Sequence, residues 1–225
     1  MSIDIRPIQR LIRGPGAPGK GACWMSAIAF LSGQDKWTDD AKCVCPTIQP
    51  LAILLNDRCD DEERELLIGP HLFAPYGTAQ GADIAKKRVV AIVRQAATWA
   101  SQALSAAGLE QAAEKLARLP INIPADFFAA SKAATSATIN LSMETEINRK
   151  AAHAALMVGG MTEKVTAEEA ARMAARMAST NRVPTIELRD LILRLCEIGR
   201  DERPDVELSR SLRELCTITK SAIKD

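Results

Sequence analysis

Apolar residues recur at steps of three and four along most of the chain, and the phase of that recurrence places a series of helices. The clearest run is Asp83 to Ala107. There Ile84, Val89, Ile92, Val93, Ala96, Ala100, Ala103 and Leu104 form a stripe, and Gly108 stands where a helix ends. A second strong stripe, Ile186, Leu188, Leu191, Ile192, Leu195 and Ile198, follows Pro184. Thr166 with Glu169 three residues on is a capping pair, so a helix is predicted from that point. Shorter helices are predicted over 22–31 (stopped by Gly33), 47–56 (Pro46 in the first turn), from the acidic run Asp60 to Glu63, and over 109–119, 125–143 and 146–158. A last one is predicted from Pro204 to Ile218. Residues 1–12 read as a short strand or irregular arm, and 13–21 as a loop dense in glycine and proline.

Composition agrees with that pattern. The chain holds 37 alanines, most of them between Ala79 and Ala178, while aromatics make up 4%. Alanine is the best helix former, and strands favour β-branched and aromatic residues. The expectation is an all-α, compact multi-helix bundle, a single domain over 1–225. Within it, residues 1–78 are expected to be loop-rich, and residues 79–225 to form an Ala-rich bundle packed closely through small side chains.

Charge removes several partner classes. Basic residues number 29 and acidic residues 28, so no global field draws the protein to nucleic acid or acidic lipid. No apolar run approaches the roughly 18 residues of a membrane span. The N-terminus carries no apolar leader segment, so the cytoplasm is the expected compartment. Six cysteines in a reducing compartment are expected as thiols, metal ligands or a nucleophile rather than disulfides.

Four local patterns carry candidate chemistry. Gly14 with Gly19-Lys20 has the spacing of a phosphate-binding loop. The Ser/Thr position is Gly21, Ala22 follows, and the preceding segment is too charged for a buried strand, so no nucleotide is expected. Cys43-x-Cys45, with Cys59, His71 and Cys23, offers soft ligands for tetrahedral zinc. Buried thiols explain the same residues, and no metal or cofactor is expected. Lys86-Lys87-Arg88, and Arg172, Arg176 and Arg182, are read as solvated faces. Cys23, just inside a helix after a Gly-rich loop, sits at the positive dipole end, which favours thiolate.

The string Gly21-Ala22-Cys23-Trp24-Met25-Ser26-Ala27 resembles the nucleophile segment of papain-like cysteine peptidases. The string His153-Ala154-Ala155-Leu156-Met157-Val158-Gly159 resembles their histidine segment, 130 residues on. That resemblance implies a thiol hydrolase with Cys23 as nucleophile and His153 as base. Ala17 stands where that family has its oxyanion-hole glutamine, and the later Asn-Ser-Trp-Gly is absent. His153 also lies in a helical pattern, on a face shared with Arg149 and Lys150 that reads as solvated, where the family uses a strand.

A wider pattern resembles a set of uncharacterised bacterial and phage proteins. It runs Gly-x-Cys-Trp-Met-Ser-Ala at 21–27, Trp37-Thr38-Asp39, Cys43-Val44-x-Pro46, Leu55-Asn56-Asp57, Glu63-Arg64 and Gly77-Thr78, followed by Ala-rich helices. This resemblance points to a phage or mobile-element source and supplies no activity; the chain shows one weak catalytic pair, no complete cofactor motif and no charge bias. The leading expectation is therefore a non-enzymatic protein- or ligand-binding module, with a protein partner or self-association. The alternative is the thiol hydrolase of Cys23 and His153.

Overall fold

The computed structural model describes residues 10–202 apart from Pro15, Pro18, Asp35, Asn140 and Glu163; the helix predicted over 204–218 and Cys216 lie outside them. Among the described residues the chain is all-α, with nine α-helices, three short 3-10 turns and no strand. The described residues form two compact units, 10–81 with 196–202, and Ala82–Leu195.

The first unit holds α1 (Trp24–Leu31), α2 (Gln49–Arg58) and α3 (Asp61–Leu67). α1 starts after Cys23, which is its N-cap. α2 starts two residues later than the pattern implies, because Pro46 to Ile48 form a turn and Pro50, with no N–H to lose, takes the first helical turn. α3 is opened by Asp60 and Glu63 in a reciprocal capping box, and Asp61 and Glu62 place two further acidic groups on the positive end of the helix. α1 packs on α2 around Trp24, Met25, Ile28, Ile48, Leu51 and Leu55, all fully buried.

The second unit holds α4 (Ala82–Ala106), α5 (Glu110–Ala117), α6 (Phe127–Thr138), α7 (Glu146–Gly160), α8 (Ala167–Thr180) and most of α9 (Thr185–Glu197). α7 is its centre, packed on α4, α6 and α8. Ala151, Ala152, Ala154, Ala155 and Val158 let those neighbours approach closely, since the separation of packed helices follows the size of the side chains between them. The pattern ends α7 at 158, but the helix continues through Gly159 and Gly160. A Cβ on Gly159 would come within 2.7 Å of the Thr135 hydroxyl on α6. One on Gly160 would meet the Met173 methyl of α8 at 2.4 Å. Both glycines lie within α7, facing the side-chain ends of Thr135 and Met173. α6 is shorter than the predicted 125–143: Pro124–Asp126 form a 3-10 turn, and the helix ends at Thr138, inside the run from Thr135 whose β-branched and polar residues weaken helix.

α9 lies antiparallel along α4. Arg88 Nε donates to the Leu195 carbonyl at 2.9 Å, and Trp99 Nε1 to Glu187 at 3.4 Å. Arg88 corrects the solvated-face reading of Lys86-Lys87-Arg88, for it is fully buried. It falls four residues after Ile84 and four before Ile92, on the apolar stripe itself.

No helix among the described residues is long and apolar enough to cross a membrane.

Candidate functional site

In the first unit, the Gly/Pro loop closes on itself. Ile12 donates to Ala22 and Ala22 to Arg10, while Ala17 donates to Gly21 and Lys20 to Ala17. Within the loop, the Ala17 and Lys20 amides are thus spent on the loop's own carbonyls rather than left for a phosphate. Gly14, Gly16, Gly19 and Gly21 all have positive φ, which is what lets the chain turn this tightly before α1.

That turn delivers Cys23 to the N-cap, and the surroundings reverse the expectation of a thiolate. The Cys23 Sγ accepts from the Ser26 amide at 3.3 Å and donates to Asp39 Oδ1 at 2.6 Å. The Ser26 hydroxyl donates to the same oxygen at 2.9 Å. Burial, then the hydrogen bond to Asp39, push the thiol up to about 12, against a lesser downward pull from Ser26. At this helix end the sulfur serves the Asp39 carboxylate as a donor rather than standing as an anion itself. Cys23 is therefore a neutral thiol across the physiological range. Its alkylation by iodoacetamide at pH 8, followed by peptide mapping, is expected at least about a hundredfold slower than that of an unstructured cysteine peptide. Asp39→Asn removes the second cause and should raise the rate, without bringing it to the peptide's.

The other motif residues of the first unit prove to be its polar skeleton. Asn56 accepts from the Trp24 amide at 3.2 Å and donates to the Ile12 carbonyl at 2.9 Å. Arg64, buried, donates to the carbonyls of Asn56 and Cys59 and pairs with Asp61. Thr78 accepts from the Cys45 amide at 3.0 Å and donates to the Pro75 carbonyl. The motif thus joins α1, α2 and two loops through buried backbone groups that would otherwise lack partners.

The zinc candidates do not converge. Cys45 is buried against the Thr47 hydroxyl at 3.0 Å, Cys59 caps the end of α2, and His71 sits in the 3-10 turn Gly69–His71. Burial raises Cys43 and takes Cys59 up to about 11. Among the described residues, no three His, Cys, Asp or Glu side chains gather as a metal site.

In the second unit, His153 is carried by α7 and is half-buried rather than on a solvated face, because α7 is wrapped by its neighbours. Its Nδ1 is buried without a hydrogen-bond partner among the described residues. Burial, then the Arg176 guanidinium on α8, hold its pKa below the ordinary value, so the imidazole is kept neutral. A papain-like base would need a hydrogen bond that fixes its tautomer, and Nδ1 has none here.

Among the described residues of the second unit, two hollows bring charged side chains together. One, of about 440 Å³, lies where α7 ends and α8 begins. Lys164, Arg172 and Arg176 line it with Thr162, Met173 and Glu169. Arg172 also pairs with Glu168 at 2.5 Å, and Glu169 is held by the amide and hydroxyl of Thr166, which lower its pKa. Among the described residues no carboxylate pairs with Lys164 or Arg176. The other hollow, of about 280 Å³, lies among α4, α7 and the turn from α8 to α9. The sequence groups Arg172, Arg176 and Arg182 on one side. The structure puts the first two in the larger hollow and Arg182 beyond the end of α8, in the smaller. Lys164 escapes sequence reasoning because it stands in a loop, where no periodicity marks it.

No family model, curated protein or solved structure matches the chain.

Proposed function

We propose that the protein is a non-catalytic binding module, and that its second unit takes up a phosphate-type anion, free or carried on a partner protein, in the hollow between α7 and α8. The observation that carries this reading is the set Lys164, Arg172 and Arg176 around a concavity of about 440 Å³, a size within the ordinary range for ligand sites. A planar guanidinium suits bidentate contact with phosphate, and two of them one helical turn apart on α8 can share one group. The chain's net charge is +1, so any attraction for an anion is local to this hollow. The bacterial and phage resemblance of the first unit supports a phage or mobile-element setting, in which small binding modules need no chemistry of their own. Burial and the hydrogen bond to Asp39 outweigh the pull of Ser26 and keep the Cys23 sulfur protonated, which disfavours the thiol-hydrolase alternative.

Calorimetric titration with inorganic pyrophosphate tests the proposal. Saturable one-to-one binding is expected, at least about tenfold weaker when Arg176→Glu and Lys164→Glu are combined. Binding should also weaken as salt rises. Equal heats from the wild type and the double variant would remove the hollow from consideration.

A further inference from the structure

The smaller hollow contains a backbone conformation that points to a second ligand. α8 ends with Asn181 as C-cap, and the next residue, Arg182, has φ of +53°, the left-handed region that glycine fills without strain. The Val183 amide closes the turn on the Ala178 carbonyl at 2.9 Å. Glycine or asparagine would stabilise that turn better than an arginine does. Residues held in disfavoured backbone regions gather at binding sites, and here the strained, exposed arginine is one of the residues that line the hollow.

The rest of the lining suits an amphipathic guest. Trp99 and Val183 are buried at its base, and Ala103 and the exposed Ile147 flank them. Lys150, from α7, joins Arg182, although Lys150 is shared with Glu146 at 2.6 Å. Arg182 helps to lower the Glu146 pKa, yet among the described residues no carboxylate lies within ion-pair distance of Arg182 itself. The remaining acid, Glu187, accepts from the Trp99 indole. We infer that this hollow binds an apolar monocarboxylate, with the carboxylate on Arg182 and Lys150 and the apolar body over Trp99 and Val183. A free carboxylic acid and the C-terminal residue of a peptide present the same chemistry. With a volume of about 280 Å³, the hollow holds one such group and not a long chain.

This site is separate from the anion hollow, and its test reads a different signal. The indole N–H resonance of Trp99, assigned by its loss in Trp99→Phe, is followed while phenylacetate or an N-acetylated dipeptide ending in phenylalanine is added. A saturable shift is expected with at least one of them, and the tighter of the two names the source. Neutral phenylacetamide should cause none. Arg182→Gly relieves the strained φ, so it should fold at least as stably as the wild type, yet weaken the binding about tenfold or more. No Trp99 shift with either acid up to about 10 mM, or an unchanged midpoint in Arg182→Gly, would overturn the assignment.

Discussion

Arg88→Ala is expected to destabilise the second unit by about 3–4 kcal/mol. The side chain is fully buried on α4, and its Nε satisfies the Leu195 carbonyl near the end of α9. Truncation removes most of a large side chain from a packed interior and leaves a cavity, which accounts for about 2–3 kcal/mol. It also leaves that carbonyl without its donor, at about 1 kcal/mol or more. Arg88→Met separates these contributions. It keeps much of the volume and needs no desolvated charge, so about 1–2 kcal/mol is expected. Lysine should not rescue, because a point charge on a flexible stem cannot reproduce the guanidinium's directed N–H. Urea unfolding followed by amide exchange in α4 and α9 measures all three. An Arg88→Ala variant as stable as the wild type would show that the buried arginine contributes nothing beyond its burial cost.

Gly16→Ala is expected to open the loop ahead of α1 and cost about 2–4 kcal/mol. Its φ of +77° penalises any side chain, and a Cβ there would lie 2.1 Å from the Gly21 carbonyl oxygen and 2.8 Å from Ala22 Cα. Those neighbours are backbone, so no rotamer change relieves the clash. Gly14 and Gly19 share the positive φ but have open space around them, and alanine at either should cost only about 1–2 kcal/mol. The contrast is the test: equal effects at 14, 16 and 19 would mean that φ alone matters and the close approach to Gly21 does not. Loss of the paired backbone between Leu11 and Ala22 should appear as faster exchange of the Ile12 and Ala22 amides in Gly16→Ala.

Much of the fold was legible because local chemistry and tertiary packing agree. The α4 stripe, the Gly108 stop and the Thr166–Glu169 cap each state in sequence what the backbone does. The disagreements share one cause, which is that long-range contacts decide them. Arg88 lies in a basic triplet and looks solvated until the stripe through Ile84 and Ile92 is followed across it. The apolar pattern of α7 lapses after Val158, yet the helix runs on through Gly159 and Gly160, where side chains of α6 and α8 lie close. Cys23 looks activated by its position at a helix end, but Asp39, 16 residues away, takes the place of an activating cation. The candidate sites were less legible still. Lys164 and Arg182 sit in irregular backbone, and only the turn geometry of the second unit shows which hollow each one lines.

The most direct measurement is an amide chemical-shift map of the protein during a pyrophosphate titration to about 10 mM, above which even millimolar affinity is saturated. An anion seated by Lys164, Arg172 and Arg176 should move the amides of 160–165 and 172–176 together, with one midpoint, and leave the Cys23 and Asp39 amides still. No saturable shift in those two stretches, or shifts confined to the first unit, would contradict the assignment of the α7–α8 hollow as the binding site.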